Sequence, residues 1–473
     1  MYKYLLCWKY LRTRYIALAS VISVMLGVAT MIVVNSVMAG FAEKMRTRLH
    51  GVLADVVVES VDLDGFPNSD EVMERIRGAA GEKIEAMAVT LESFAIMKFN
   101  YLGRPITRQV QLIGVKPLDR ARTGDFAEYI VNAQGRRTGA PPSFEVAEEL
   151  RRTSRSGRLA EEMKAAGGAE DDPFFKALVD DAKEEVPDYG VIMGWALATI
   201  HRPGSDHDDM LAPPGTKIRL VFPTGGNKPA PGYDEFTVVN YFKSGMSEYD
   251  STHVYVPLER LQFMRHLGDG EGRGAVNQIQ IKVKPGVDID DVQAQVQEAM
   301  DKLLPRYFVV STWEQKQGPL LAAVQVEQNI LNMLLFFIIA VAGFGILAIF
   351  SMIVVEKTRD IGVMKALGAT SSGVRSIFLG YGLLLGAVGA GAGMAGGLAF
   401  VAHINWIEQK LSVLAGRKLF DDTIYYFDSI PTLVDPRTVA CVVGGALLIA
   451  AAASVWPAHR AARLDPVRAL RYE

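Results

Sequence analysis

Hydrophobic and polar positions are distributed very unevenly along this chain. Tyr15 to Phe41, Ile330 to Val355, Ser376 to Ile407 and Thr438 to Trp456 contain no Lys, Arg, Asp or Glu. Crossing about 30 Å of hydrocarbon takes about 20 apolar residues in a helix, because every backbone polar group must be satisfied within the segment. The runs therefore predict transmembrane helices over 15–41, 328–355, 375–407 and 438–456. The first is too long for the apolar region of a cleaved signal peptide, and no small-residue cleavage site follows Gly40.

Between the first two runs the pattern changes. Val52 to Val58 and Ile279 to Val283 alternate or cluster as strands do, and Val292, Val296, Ala299 and Leu303 fall on one face of a helix from Asp288 to Leu304. Lys217 to Phe222 and Phe236 to Phe242 read as two strands, and the turn-forming residues 223–235 between them predict a projecting hairpin loop. Residues 132–185 are crowded with charge. Phe144, Ala147 and Leu150 make one helical stripe there, and Asp172-Pro173 opens another helix, so a charged helical insertion is expected. The predicted fold class is an α-helical membrane protein with four transmembrane helices plus a large α+β domain, 42–327, inserted between helices 1 and 2.

Charge gives this topology a direction. Lys3, Lys9, Arg12 and Arg14 precede the first run, Lys357, Arg359, Lys365 and Arg375 separate the second from the third, and Arg460, Arg463, Arg468 and Arg471 follow the fourth. Short flanks rich in Lys and Arg stay cytoplasmic, so both termini (1–14 and 457–473) and the 356–374 connection are expected inside, with 42–327 and the 408–437 loop outside. Tyr4, Trp8 and Leu11 at helical spacing predict a short interfacial helix before the first span. In the third run Gly389, Gly393 and Gly397 form a flat stripe, suited either to packing within the chain's own bundle or to a dimer seam.

Composition alone is less informative. The chain has 473 residues, 49% hydrophobic and 22% charged, with net charge −3, so no basic surplus exists for phosphates and no nucleic-acid partner is expected. The two cysteines, Cys7 and Cys441, lie in or beside apolar segments and give the middle region no disulfide. G-x-x-x-x-G-K-[ST], H-E-x-x-H, C-x-x-C and G-x-S-x-G are all missing, so neither a nucleotide cradle nor a familiar catalytic set is present. The donors between His201 and Asp209 lie around Pro203-Gly204, with no register to converge them. No catalytic residue, metal or cofactor is expected. The apolar runs carry no Lys, Arg, Asp or Glu, so no proton relay or buried ion path is expected.

One connection carries more than a turn needs. From Glu356 to Thr370, Ile361, Met364 and Leu367 predict an apolar face on a short helix, Gly368 a C-terminal stop, and Ser371-Ser372 the next start. That segment and the ending Trp456 to Arg471 resemble the ABC transporter permeases built from one span, a periplasmic domain and three further spans, a family with macrolide-exporter, cell-division and lipoprotein-releasing branches. Ser36 to Phe41, Gly190 to Ala198, Phe242 to Ser251, Val254 to Leu258 and Thr312 to Gln315 resemble the lipoprotein-releasing (Lol) branch in particular. The 132–185 insertion has no counterpart in the usual layout, and the 223–235 loop is short and differs in detail from the hook with which one such permease grips its carrier.

The resemblance implies a separate cytoplasmic ABC ATPase subunit beneath the permease. Glu356, Lys357, Arg359, Asp360, Ile361, Met364 and Leu367 would be its coupling residues. It further implies a second permease copy or paralogue in an inner membrane, a triacylated lipoprotein substrate, contact of Met38 and Phe41 with membrane lipid or substrate, and a periplasmic lipoprotein carrier met by Pro223, Pro229, Pro231 and Tyr233. Each buried methylene is worth about 0.8 kcal/mol, so releasing three acyl chains into water would cost on the order of tens of kcal/mol. Direct transfer to an apolar carrier avoids that cost. The same scaffold also suits a transducer that activates a cell-wall hydrolase, or an efflux motor working with an outer-membrane duct.

Overall fold

A computed structural model describes residues 15–147, 150, 189–201, 208–226, 228–268, 274–415, 429–465 and 467. The expected interfacial helix before Tyr15, the helix opened by Asp172 and most of the 132–185 insertion, and the centre of the His201 to Asp209 cluster lie outside these residues. The chain divides into two compact units, residues 1–45 with 319–473, and residues 46–318.

In chain order the helix α1 (Tyr15–Val52) precedes β1 (Val56–Ser60), α2 (Ser69–Ala80), β2 (Ile84–Tyr101), β3 (Arg104–Val115), α3 (Pro117–Thr123) and β4 (Ile130–Val131). Then come β5 (Gly190–Gly194), β6 (Thr199–His201), β7 (Asp208–Met210), β8 (Lys217–Pro223), β9 (Pro231–Phe242), β10 (His253–Pro257), α4 (Leu258–Met264), β11 (Gln278–Val283), α5 (Ile289–Leu303) and β12 (Phe308–Thr312). Last in the chain are α6 (Gly318–Glu356), α7 (Thr358–Ala366), α8 (Ser371–Ala402), α9 (Ile404–Ala415) and α10 (Pro436–Ala462).

Residues 46–318 form an α+β unit with two modules sharing one strand. In the first, strands run β12-β1-β11-β2, all antiparallel, with α2 and α5 following β1 and β11. This is the split β-α-β order of ferredoxin-like folds. Asp288 caps α5 by accepting from the Asp290 N–H, and Val292, Val296 and Met300 are its buried stripe. In the second module β8 pairs with both β2 and β9, so β2-β3-β10-β5-β9-β8 close into a six-strand ring. The 18-residue β2 joins the two modules: Ile84 to Thr90 pair with β11, and Thr90 to Tyr101 with β3. A single hydrophobic core runs from Val56 and Ile76 to Phe236 and Tyr241.

The expected strand from Val52 begins later, because the helix persists to Val52 and the sheet takes over only at Val56. Phe144 is not on a helical stripe. The Phe144 carbonyl accepts from Gly190 N–H, Glu145 bridges Tyr189, and Phe144 and Val146 are buried, so pairing to the start of β5 overrides the local periodicity.

Among the described residues, four helices are long and apolar enough to cross a membrane. Three of them outrun their apolar stretches: α1 continues past Phe41, α6 starts at Gly318, and α10 continues through Pro457 to Ala462. The third run breaks at His403, which ends α8, and continues as the separate α9. The glycine stripe of α8 packs within the chain. A Cβ at Gly393 would lie 2.6 Å from the Met25 carbonyl oxygen of α1, and one at Gly386 2.6 Å from Cβ of Ala450 in α10. Absent side chains let these backbones meet where lipid supplies no hydrophobic drive.

Candidate functional site

The segment joining α6 to α8 is held from both ends. Thr358 Oγ1 donates to the Val354 and Val355 carbonyls, Lys357 pairs with Asp360 at 2.5 Å, and Thr370 caps α8 by accepting from the Gly373 N–H. Gly368 has φ of 96°, the left-handed stop expected after α7. Lys365 Nζ donates to the carbonyls of Ala462 at 2.8 Å and Leu464 at 2.7 Å, placing a cation on the negative end of α10.

The expected apolar face of α7 is divided. Ile361 is fully buried and Met364 packs against the same cluster, whereas Leu367 is 84% exposed. Residues six apart on a helix stand about 120° from each other, so Leu367 turns away from Ile361. Its outward neighbours are Glu356, Arg359, Asp360 and Val363, the last missed in the sequence because it belongs to the opposite stripe. Ile361 and Met364 line a groove with Ile353, Ile377, Phe378 and Tyr381, which Lys357 and Asp360 also border.

At the other end of the bundle, Met38 and Phe41 are half-buried on α1. The Met38 carbonyl accepts from Gln328 Nε2 at 3.4 Å, and Ser36 accepts from the Leu433 N–H at 2.8 Å.

The hairpin expected at 223–235 is shorter and less free than its composition implies. β9 begins at Pro231, and the ladder runs from Lys217↔Thr237 to Pro223↔Pro231, leaving 224–230 as the connection. Gly225 N–H donates to the Arg265 carbonyl and Gly226 N–H to Asp64, while the buried Arg265 pairs with Asp64 at 3.0 Å. Turn and ladder hydrogen bonds absorb residues that read as loop. Pro223, Pro229, Pro231 and Tyr233 are all exposed, Tyr233 at 72%. Tyr233 stands opposite Val221, which stands opposite Ile96 of β2. Ile96 and nearby Phe94 are also exposed, extending an apolar strip across three strands. The signal was in the sequence: from Phe94 to Phe99 both alternating faces carry apolar residues.

A polar cluster ties the ends of the 46–318 unit together. Arg46 pairs with Glu314 and lies 5.6 Å from the Trp313 ring, and His50 stacks on Trp313 at 5.0 Å. Burial alone would raise the Asp55 carboxyl, but hydrogen bonds from His50 and Val283 N–H and the charge of Lys282 hold it below the usual carboxylate range. Thr312 and Gln315 form a capping box there. Arg120, fully buried, donates to the Val52 carbonyl at 2.7 Å and satisfies the end of α1. The turn after β9 is organised by Asp250, which accepts from Ser244 N–H, Ser244 Oγ and Gly245 N–H, while the Gly245 carbonyl accepts from Arg48 at 2.5 Å. Burial pushes Asp250 up to about 6 and, together with Arg120, pushes His253 down to about 3. These groups fasten backbone to backbone.

Two family models match consecutive parts of the chain. Residues 17–299 match the MacB-like periplasmic core domain and residues 332–466 the FtsX-like permease C-terminal region. The lipoprotein-releasing system transmembrane protein LolC of Neisseria meningitidis is 24% identical over 467 residues, 97% of this chain and 94% of that protein. LolC of Xylella fastidiosa is 28% identical over 243 residues, 51% of this chain, and the match spans only 56% of that relative's length. The macrolide export ATP-binding/permease protein MacB of Bdellovibrio bacteriovorus is 29% identical over 212 residues, 43% of this chain and 29% of that protein. Among solved structures, the periplasmic region of MacB from Actinobacillus actinomycetemcomitans aligns over 59% of this chain and 97% of that one, at 12% identity and a TM-score of 0.25.

Proposed function

Because the chain belongs to the family defined by the MacB-like periplasmic core and carries the FtsX-like permease region after it, we propose that it is the membrane subunit of an ATP-driven complex that extracts lipoproteins from the outer leaflet of the inner membrane and passes them to a periplasmic carrier. The observation that carries this reading is the match to a LolC along 97% of the chain, which takes in both units. ATP is hydrolysed by a separate subunit, since no phosphate-binding loop occurs in this sequence. With both termini and α7 cytoplasmic, the outward residues Arg359, Asp360, Val363 and Leu367 receive that subunit, and Ile361 and Met364 pass its movement into the bundle. α1 leads into β1 and β12 leads toward α6, and these two strands are hydrogen-bonded neighbours, which supports a mechanical route to the outer domain. Met38 and Phe41 then face lipid or the acyl chains of substrate beside a second permease copy or paralogue. Pro223, Pro229, Pro231 and Tyr233 offer the carrier an apolar strip.

Depletion of the protein is expected to leave outer-membrane lipoproteins in the inner membrane, measured by membrane fractionation and immunoblotting. Correct sorting after depletion overturns the reading and favours the hydrolase-activating transducer or the efflux motor. The Bdellovibrio relative's name places ATP binding and permease in one protein, whereas no G-x-x-x-x-G-K-[ST] occurs in these 473 residues.

A further inference from the structure

α9 is amphipathic in the reverse of the usual sense. Ile404, Ile407, Leu411 and Leu414 fall along one arc, Asn405, Glu408, Gln409 and Ser412 occupy the other, and Trp406, Lys410 and Val413 lie along the boundary between them. A helix on the surface of a water-soluble domain turns its apolar arc inward. Here the polar arc carries the anchor: Asn405 donates to the Ile430 carbonyl at 3.3 Å and accepts from the Ile430 N–H at 2.8 Å, while Ser412 Oγ donates to Glu408 within the helix at 2.7 Å. None of the twelve residues is buried, and Trp406, Leu411, Val413 and Leu414 are 60%, 49%, 82% and 88% exposed.

The level of this helix in the bundle follows from its anchor. Ile430 leads to Pro431 and Thr432, whose backbones press on Gly40 of α1, and to Leu433, whose N–H donates to Ser36. Three residues beyond Gly40, about 5 Å at helical rise, α1 gains its first charges at Glu43 and Lys44. Asn405 is thus tied to the layer where the bundle passes from apolar to charged, and only His403 separates α9 from the membrane-crossing α8. Lys410 Nζ lies 5.9 Å from the Trp406 ring, an aromatic and a cation of the kind found at membrane boundaries.

We propose that α9 lies in the headgroup and acyl boundary of the leaflet at the end of α8 remote from α7, with Ile407, Leu411, Leu414 and Trp406 in the lipid. Under the orientation proposed above this is the outer leaflet, where the helix forms a shelf beside α1, α8 and α10. The occupant of its apolar arc is phospholipid, because the arc starts from a membrane span at the depth where lipid begins.

The test uses the full chain with Cys7→Ser and Cys441→Ser, reconstituted in phosphatidylethanolamine and phosphatidylglycerol vesicles. Spin labels go singly at Leu411→Cys and Leu414→Cys on the apolar arc, and at Gln409→Cys and Ser412→Cys on the polar arc. Collision with oxygen relative to a water-soluble nickel chelate is expected to be several-fold higher at 411 and 414 than at 409 and 412. Equal access of the chelate to all four positions would place α9 in water and overturn the proposal. Shielding of 411 and 414 from both reagents, with dipolar broadening between copies, would overturn it in favour of a second protomer. If a labelled variant does not insert, quenching by brominated lipid, measured as the difference between the native chain and Trp406→Phe, reads the same contact, and no difference sinks the idea. Neither measurement depends on lipoprotein sorting, so this proposal and the functional one fail separately.

Discussion

Asp250 and His253 stand three residues apart, and burial disfavours the charged form of each. Their shifts act on stability with opposite signs. Asp250, raised from 3.8 to about 6, binds more proton folded than unfolded in that interval, so its contribution is present below about pH 4 and lost as pH rises through 6. His253, depressed from 6.5 to about 3, is protonated more readily in the unfolded chain, so its contribution is lost as pH falls below 6.5. Between about pH 4 and 6 the two slopes oppose, and the melting temperature of the 46–318 unit is expected to change little on their account. Asp250→Asn keeps Oδ1 as the acceptor for Ser244 but sets an amide N–H against the Gly245 N–H, which lowers stability at every pH. It leaves only the histidine slope, so melting temperature in the full chain should climb with pH across that window, and a flat profile in this variant contradicts the assignment. In the bundle, Gly393→Val has no room for its side chain against the Met25 carbonyl. Overpacking of this kind costs about 1–3 kcal/mol, readable as a lowered melting temperature in detergent.

Among the elements, α7 separates two roles that its sequence merges. Val363→Asp and Leu367→Asp alter exposed positions and are expected to abolish co-purification of an ATPase subunit while membrane levels of the chain stay normal. Ile361→Ala removes a buried side chain at a cost of about 2–5 kcal/mol, so its expected outcome is reduced accumulation. Retained ATPase association in both exposed variants would remove α7 as the contact. Signals confined to one turn were legible in the sequence: Gly368 as a stop and Ser371-Ser372 as the next start are where their chemistry puts them. What depended on distant partners was not. Phe144 is extended because Gly190 pairs with it, and 231–235 join a strand because 219–223 lie opposite. The helix ends of α1 and α10 run past their apolar stretches because a helix is stopped by capping and packing, and a change from apolar to polar side chains does neither.

At the scale of the whole molecule, membrane content and an α+β domain could be read from periodicity, but the strand order could not. β2 and β11 are neighbours although Tyr101 and Gln278 are separated in the chain by the other five strands of the ring. The ring also leaves most strands without a free edge, which removes the usual route to edge-to-edge association. Because β2 belongs to both modules, hydrogen exchange along Ile84 to Tyr101 is expected to be uniformly slow; an early-exchanging half would mean that the modules open independently. The shared strand also limits how members of this family can be recombined. Cutting β2 at Thr90 gives neither fragment a complete sheet, so a chimaera that exchanges the ring between two relatives must carry the strand whole, and with it half the ladder of the module it meant to leave behind.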